Sequence, residues 1–317
     1  MRLFCPTRLL ISIGLSVLLC LPVAAQGAVC VLVPHFKDEY WLSVGYGLEQ
    51  EARAAGLDLW FREAGGYRAR EAQITQIDDC TAAGAEAILI GTVSSDHPDL
   101  LAAVARAAQT APVYALVNAL DSDALSGRAG VDWHAMGLDL GRAIAAAHPA
   151  GSPPLQAVLV SGPRESGWVR PVETGLREAL SDSAVRIVDR RFSDTGLREQ
   201  FETVAEIFES FPNLDMLIGS APAIEAAMGI LATHPERRRP ELVATYVTHS
   251  VRRGLSDGQV ALAPFDDPVG QGRMAVRMVL KDDSPFGDGP PIRLIRPRTL
   301  TVERLPLSPA DYFPSIE

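Results

Sequence analysis

Short, continuous apolar segments alternate with amphipathic helical patterns along most of this chain. The first apolar segment, Val29–Val33, is followed by a pattern that places Val44, Leu48 and Ala52 on one helical face. Similar segments, with helical patterns between them, lie at 57–61, 87–90 and 113–117. Strands that are apolar throughout are usually covered on both faces. The order of elements therefore predicts a parallel sheet between two layers of helices.

The same alternation starts again in the second half of the chain. A helical pattern ends at a Gly-Ser-Pro-Pro turn at 151–154, which interrupts regular structure. Apolar segments then recur at 155–160, 185–188, 216–218 and 242–247. The chain has 317 residues, a length that suits two domains of ordinary size. We therefore predict an α/β protein with two similar lobes, near residues 28–118 and 155–264.

Residues 1–25 have the pattern of a secretory signal peptide. Arg2 and Arg8 precede a nearly unbroken apolar run at 9–21. Val-Ala-Ala at 23–25 then supplies small residues for cleavage. Removing this segment changes the net charge from −10 to −12, because it takes away two arginines and no acid. An acidic chain of this kind is a poor partner for nucleic acid and for anionic membrane surfaces. We expect an exported, periplasmic protein that is not inserted in the membrane.

Two cysteines, Cys30 and Cys80, lie beyond the predicted signal peptide. A pair in an oxidising compartment permits a disulfide. Cys30 nevertheless falls in a predicted core strand and Cys80 in a predicted helix, where free cysteine often acts as a small apolar side chain. The sequence leaves both readings open. No Cys-x-x-Cys and no histidine pair at helical spacing points to a metal site, and no cofactor is implied.

Two large aromatic residues, Tyr40 and Trp41, follow the first predicted strand across a short polar loop. In open α/β sheets, ligands bind at the carboxyl ends of the strands. Adjacent aromatic rings at that edge are well suited to holding a small ligand by their faces. The sequence thus predicts a binding site at this end of the sheet.

Several strings resemble the ribose-type, or type I, periplasmic binding proteins. Phe-Pro-Asn-Leu-Asp-Met-Leu-Ile at 211–218 is similar to a helix-to-strand junction of that family, and Gly-Leu-Ser-Asp-Gly-Gln-Val-Ala-Leu-Ala at 254–263 to its turn before a crossing strand. The segments 158–162 and 173–180 also resemble the family's second lobe, and the resemblance covers residues 28–304. It implies two doubly wound parallel-sheet lobes joined by three interlobe crossovers.

The resemblance also implies domain boundaries. We expect the first lobe to comprise 26–118 and 265–292, and the second lobe 119–264 and 293–304. A possible strand at 299–302 precedes a proline-rich tail at 305–317, which the sequence allows to be either a loose segment or a docking strap.

One string resembles particular members of the family more closely. Val-Leu-Val-Pro-His-Phe-Lys-Asp-Glu-Tyr-Trp at 31–41, continuing to residue 48, is similar to family members that bind trimethylamine N-oxide. Those proteins report to the periplasmic domain of a sensor histidine kinase that controls an anaerobic respiratory system. The resemblance therefore implies this ligand and this kind of partner for the present chain.

Trimethylamine N-oxide has a cationic nitrogen wrapped in methyl groups and one strongly accepting oxygen. Its methyl face favours aromatic rings, and its oxygen favours a few directed donors. The predicted ligand-binding residues are Tyr40, Trp41, Tyr67, Trp133 and Tyr246, together with Asp38 and Arg170. We expect the five aromatic residues to form a cage assembled from both lobes, which closes around the ligand. Trp168 and His35 are more often structural in such positions.

Two alternatives to this function remain open from the sequence. The first is a sugar-binding receptor of an ABC transporter, which would hold hydroxyl groups with Asp, Asn and Arg. This set is depleted, because Asn118 stands where an acid is usual and Val247-Thr248 where a second acid is usual, although Arg170 remains. The second is an interaction module that keeps the fold without a ligand.

Enzymatic function is not indicated by any motif in the chain. The sequence contains no Gly-x-Ser-x-Gly, no His-Glu-x-x-His and no Gly-x-x-x-x-Gly-Lys. The pair Gly45 and Gly47 lies within the first predicted helix and lacks the third glycine of a dinucleotide-binding loop. We therefore expect a binding protein and not an enzyme.

Overall fold

The computed structural model describes residues 28–281, 284, 286, 287 and 289–316. The predicted signal peptide lies outside the described residues. The strands are β1 (Val29–Val33), β2 (Leu59–Glu63), β3 (Ala87–Ile90), β4 (Val113–Leu116), β5 (Gly127–Ala129), β6 (Leu155–Ser161), β7 (Val185–Phe192), β8 (Met216–Gly219), β9 (Glu241–Ala244), β10 (Ala263–Phe265) and β11 (Arg293–Ile295). The helices are α1 (Glu39–Ala55), α2 (Arg70–Ala82), α3 (Pro98–Ala107), α4 (Trp133–Ala147), α5 (Val169–Leu180), α6 (Leu197–Ser210), α7 (Ala221–Thr233), α8 (His249–Asp257), α9 (Pro268–Val279) and α10 (Leu300–Glu303).

The first lobe is built on a parallel sheet with the strand order β2-β1-β3-β4-β5. Successive side chains of β1 face opposite layers, as strand geometry requires. Cys30 and Leu32 pack in the cluster that contains α2 and α3 side chains. Val29 and Val31 pack in the cluster on the other face, which contains α1 and α9 side chains. The sheet is therefore covered on both faces, as the continuous apolar segments predicted.

The second lobe repeats this arrangement on a parallel sheet with the order β7-β6-β8-β9. Ala157 and Leu159 of β6 pack with α4 and α5 side chains. Val158 and Val160 pack in the cluster that contains α6 and α7 side chains. A short antiparallel pair, β10 and β11, lies beside β9. The predicted fold class, two doubly wound parallel-sheet lobes, is confirmed.

The segments that connect the two lobes run from β5 to α4, from β10 to α9 and from α9 to β11. Helix α9 packs on α1 of the first lobe, whereas α4 packs on α5 of the second. The expected boundary at residue 118 is wrong, because β5 pairs with β4 and extends the first sheet to residue 129. This strand has the sequence Gly-Arg-Ala, so no apolar run revealed it. Its place is set by backbone hydrogen bonds at the sheet edge.

Helix pairs α1–α9 and α4–α5 make corresponding close contacts in the two lobes. A Cβ atom added at Gly47 would collide with the backbone of Val269, and one added at Gly137 with the backbone of Val172. Glycine is needed at both positions because the facing backbone leaves no room for a side chain. Gly47, part of the false dinucleotide pattern, therefore serves helix packing.

The two cysteines and the tail are also placed by the structure. Cys30 and Cys80 form a disulfide that ties β1 to α2. Residues 299–302 were expected to form a strand but lie largely in the short helix α10, which packs on α8. The tail lies against the first lobe, where Tyr312 contacts the ring of Tyr46 and Ile316 forms a bridge with Phe61.

Candidate functional site

A closed cavity lies between the lobes, at the carboxyl ends of the strands of both sheets. The centre of a water-sized sphere can reach about 20 Å³ of it. Its lining residues are each at most 5% exposed. They are Asp38, Tyr40, Trp41, Tyr67, Val117, Asn118, Trp133, Trp168, Thr195 and Tyr246.

Helix starts and strand ends bring the aromatic side chains to this cavity. Asp38 caps the first turn of α1 by accepting a hydrogen bond from the backbone N–H of Tyr40 at 3.0 Å, which places Tyr40 and Trp41 in that turn. Trp133 is the first residue of α4, and its indole Nε1 donates to the Val117 carbonyl at 3.0 Å. Tyr246 follows β9 closely, so it also lies at the ligand edge of its sheet.

Two glycines make room for two of the tryptophan rings. Gly91 directly follows β3, and a Cβ atom there would lie 2.7 Å from Cζ3 of Trp41. Gly162 directly follows β6, and a Cβ atom there would lie 2.5 Å from Cζ2 of Trp168. The two lobes therefore use the same device, a glycine after a strand, to seat a ring against the sheet edge.

The rings pack edge to face around the cavity. Tyr40 and Tyr246 have ring centroids 5.3 Å apart at an interplanar angle of 78°, and Trp168 meets Tyr246 at 5.9 Å and 84°. The rings of Trp133 and Trp168 are 6.2 Å apart. Contacts between rings of different lobes hold each face in a defined orientation.

Hydrogen bonds from tyrosine hydroxyls fix two buried carboxylates. The Tyr246 hydroxyl donates to Oδ2 of Asp38 at 2.6 Å, which links the two lobes. The Tyr40 hydroxyl donates to Oδ2 of Asp266 at 2.7 Å and accepts from Nε2 of Gln271 at 3.0 Å. The ring of Tyr40 is therefore held from outside the cavity, and its face is free to line it.

Asp38 is the carboxylate that lines the cavity itself. Burial raises its pKa from 3.8 to about 6, although the hydrogen bonds from Tyr246 and from the backbone of Tyr40 lower it. The side chain is thus ionised at neutral pH. It forms no ion pair with a lysine or arginine in the described part of the chain. A buried negative charge of this kind favours a ligand that carries a positive centre.

Tyr67 provides a hydrogen-bond donor in the cavity wall. Its hydroxyl accepts from Nδ2 of Asn118 at 3.2 Å, and among the described residues no acceptor is paired with its O–H. Burial raises the pKa of Tyr67, while hydrogen bonds from Asn118, Trp41 and Trp168 lower it, and the net shift is upward. The hydroxyl therefore stays protonated and can donate to a ligand atom.

Six of the seven predicted site residues line this one cavity. They are Asp38, Tyr40, Trp41, Tyr67, Trp133 and Tyr246. Arg170 does not line it, which corrects that expectation. The side chain of Arg170 is 80% exposed, and its Nη2 lies 4.0 Å from Oδ2 of Asp96 of the first lobe, at the outer rim of the cleft.

Four lining residues were not predicted as part of the site. Trp168, Val117, Asn118 and Thr195 all contribute to the wall. Trp168 immediately precedes α5, and its position after a strand and a glycine-containing loop was the available signal. Val117 has a positive φ of 64°, a conformation that β-branched residues rarely adopt. No sequence pattern predicts this strained backbone conformation at Val117.

Within the described part of the chain, no group of three or more His, Cys, Asp or Glu side chains is placed to hold a metal ion. Nor does any helix among those residues combine the length and hydropathy needed to cross a membrane.

Two parallel-sheet lobes that close over a cavity lined from both sides define a bilobal ligand-binding protein. The chain matches, over residues 26–277, the family described as periplasmic binding proteins and sugar binding domain of the LacI family. It belongs to this family, and it is a periplasmic protein.

Individual relatives are similar over nearly the whole chain. Periplasmic protein TorT of Escherichia coli strain K12 is 38% identical over 305 residues, which cover 92% of this chain and 86% of the relative. The solved complexes of the TorS sensor domain with TorT, one without ligand and one with TMAO, match with a TM-score of 0.79 and 36% identity. Each match covers 92% of this chain and 100% of the other.

A further solved structure is an ABC transporter solute-binding protein from Bradyrhizobium sp. BTAi1 with bound bis-tris. It is 32% identical to this chain and has a TM-score of 0.74, covering 93% of this chain and 90% of its own.

Proposed function

We propose that this chain is a receptor that encloses trimethylamine N-oxide between its lobes and presents the closed form to the periplasmic sensor domain of a membrane histidine kinase. The relative TorT has been solved in complex with the TorS sensor domain, both without ligand and with TMAO. The identity of 38% over most of both chains supports carrying this role over. The observation that carries the proposal is the closed cavity walled by rings from both lobes.

The rings and the carboxylate suit the cationic end of this ligand. A methylated nitrogen gains about 0.5–2 kcal/mol from each aromatic face that it contacts, with the larger values where water is excluded. Tyr40 from the first lobe and Trp133, Trp168 and Tyr246 from the second lobe line the cavity. Asp38 supplies a negative charge, and no arginine or lysine among the described residues pairs with it. The site therefore stabilises a positive centre that offers no hydrogen-bond donor.

The Tyr67 hydroxyl suits the oxygen of the ligand. This oxygen is a strong acceptor, and the Tyr67 O–H has no acceptor among the described residues. Asn118 donates to the phenol oxygen, so the Tyr67 O–H points to a different partner. We expect Tyr67 to donate to the N-oxide oxygen, which distinguishes the N-oxide from trimethylamine.

The size of the cavity also favours a very small ligand. A spherical cavity of about 3 Å radius, which fits a molecule of this size, gives the centre of a water-sized sphere (radius about 1.4 Å) a volume of about 17 Å³ to move in. The same measure of the cavity in this protein is about 20 Å³. A pentose has about twice as many heavy atoms and needs partners for several hydroxyl groups. Since Arg170 lies outside the cavity, Asp38 and Asn118 are the Asp, Asn or Arg side chains that line it among the described residues, which is few for a sugar with several hydroxyl groups.

We also propose that the protein has no catalytic activity of its own. The family is one of binding proteins. The buried carboxylates Asp38 and Asp266 are each held by a tyrosine hydroxyl and face different surroundings, so they do not form a paired acid and base.

Calorimetry on the protein lacking residues 1–25 tests this function. With about five heavy atoms, the ligand can gain at most about 7–8 kcal/mol, which corresponds to a micromolar dissociation constant. We expect such binding for trimethylamine N-oxide, weaker binding for trimethylamine and none for D-arabinose. Tight binding of the sugar without heat from the N-oxide would contradict the proposal.

A further inference from the structure

Asp194 of the second lobe is bonded to the first lobe just behind the cavity wall. It follows β7, and its Oδ1 lies 3.2 Å from Nε2 of His35 while its Oδ2 accepts from the backbone N–H of Tyr67 at 3.0 Å. Oδ1 also accepts from the backbone N–H of Thr195, at 2.8 Å. Both oxygens of this carboxylate therefore bind donors, and one donor on each oxygen comes from the opposite lobe.

The orientation of His35 is fixed by its other nitrogen. The backbone N–H of Lys37 donates to Nδ1 of His35 at 3.2 Å, so Nε2 carries the hydrogen in the neutral ring. Nε2 faces Oδ1 of Asp194 and, at 3.1 Å, Oγ1 of Thr195. His35 is fully buried. Partial burial raises the pKa of Asp194, but its interaction with His35 and the hydrogen bonds from the backbone N–H groups of Tyr67 and Thr195 outweigh that effect, so the net pKa is lowered.

The loop that carries Tyr67 is shaped around this carboxylate. Gly66 has a φ of 143°, and a Cβ atom there would lie 2.6 Å from Oδ2 of Asp194. Only glycine permits both that backbone conformation and that approach. The ring of His35 in turn packs edge to face against the ring of Tyr67, with centroids 5.8 Å apart. Asp194 thus contacts both groups that hold Tyr67 in place.

Other contacts cross the cleft but do not reach this loop. Glu39 accepts hydrogen bonds from the backbone and hydroxyl of Ser250, and the backbone N–H of Ser95 donates to the Glu165 carbonyl at 2.9 Å. These contacts close the lobes without bonding to Gly66, Tyr67 or His35. Asp194 differs from these contacts by bonding to the loop that carries Tyr67, whereas the hydrogen bond from Tyr246 to Asp38 joins two other cavity residues across the cleft.

We propose that Asp194 is a positioning residue that couples lobe closure to ligand recognition. When the lobes close, its carboxylate seats the loop of Gly66 and Tyr67 and the ring of His35, and this places the Tyr67 hydroxyl against the ligand oxygen. When the lobes open, the carboxylate leaves these donors and returns to water. The inference rests on the proposed function, because it concerns the residue that meets the N-oxide.

The substitution Asp194→Asn tests this coupling with little change of shape. Asparagine keeps one acceptor and replaces the other with an NH₂ group, which would face a first-lobe N–H donor. His35→Asn removes the opposite donor. It keeps a side-chain acceptor for the N–H of Lys37, since asparagine bonds readily to the backbone two residues on. Asp189→Asn is the matched control, because the partners of Asp189, the backbone of Arg190 and Nε of Arg191, lie on the same strand.

Affinity for trimethylamine N-oxide, its dissociation rate and the melting temperature without ligand are measured for each variant. We expect Asp194→Asn to weaken binding at least tenfold, mainly through faster dissociation, with an unchanged melting temperature without ligand. The double variant His35→Asn with Asp194→Asn should have about the same affinity as the single variant that binds more weakly. The two effects should not add, because both act through one contact. Asp189→Asn should bind like the wild type.

Each other outcome overturns the inference. Equal affinity of Asp194→Asn and the wild type would show that the contact does not govern binding. Weaker binding with an equally lowered melting temperature of the ligand-free protein would show a merely structural role. If the wild type itself gives no heat with the N-oxide, the proposed function fails, and this inference fails with it.

Discussion

Adding one methyl group at Gly91 should narrow the cavity without replacing any residue that lines it. A Cβ atom there would lie 2.7 Å from Cζ3 of Trp41, which is 0.7 Å inside the 3.4 Å at which ordinary contact begins. Trp41 is 2% exposed and packs against Tyr40. Because the ring is enclosed on its other sides, it must move into the cavity. Gly91→Ala therefore narrows the space that the ligand occupies.

The expected size of the effect follows from the fit of the ligand. The cavity offers about 20 Å³ to the centre of a water-sized sphere, close to what the compact N-oxide requires, so it has little slack. Overpacking by a methyl group costs about 1–3 kcal/mol in a well-packed interior. Since about 1.4 kcal/mol corresponds to a tenfold change, binding should weaken about 5- to 150-fold.

Calorimetry with trimethylamine N-oxide measures this loss directly. Gly229→Ala is the matched control, because Gly229 lies inside α7 and a Cβ atom there meets nothing within 4 Å. That variant should bind normally and gain about 0.5–1 kcal/mol of stability from the helix propensity of alanine. Wild-type affinity in Gly91→Ala would refute the argument that Trp41 forms the cavity wall.

Other changes test separate parts of the site and the fold. Tyr67→Phe should weaken binding of the N-oxide about tenfold or more by calorimetry, because the ligand oxygen loses a donor and the Asn118 amide loses one of its two acceptors. The folded-state pKa of Asp38 is raised to about 6, so Asp38 gains its proton as the pH falls through that value and the site loses its negative charge. Affinity should therefore decline below about pH 6 in a calorimetric pH series. Asp38→Asn should reduce that dependence, and any remainder is expected from Asp266, whose pKa burial also raises to about 6. Replacing both Cys30 and Cys80 with alanine should lower the free energy of unfolding by up to about 4 kcal/mol in urea titrations, since the disulfide joins residues 50 apart. Binding should be unchanged in that variant.

The elements with strong apolar periodicity were predictable from the sequence, and so were the aromatic residues at strand ends. β1 and α1 follow directly from their patterns, and the rule for parallel sheets placed Tyr40, Trp41 and Tyr246 at one edge. β5 was not predictable, because three residues held by backbone pairing carry no pattern. The disulfide depended on how α2 lies on β1, which spacing alone did not decide.

The side chains missed in the site share a physical cause. Trp168 and Thr195 reach the cavity only because the second lobe closes over the first, and no local pattern encodes that approach. Arg170 was expected at the ligand from its place in the family, but its side chain lies exposed at the outer rim of the cleft. Asp194 acts on the first lobe from the far end of β7, so its role depends on tertiary structure alone.

A crystal structure of the protein with trimethylamine N-oxide tests the central claim most directly. We expect the methyl groups to lie against the rings of Trp133, Trp168 and Tyr246, the oxygen to lie within hydrogen-bond distance of the Tyr67 hydroxyl, and the lobes to be closed. A ligand bound outside the cleft, or a closed cleft that excludes it, would contradict the account.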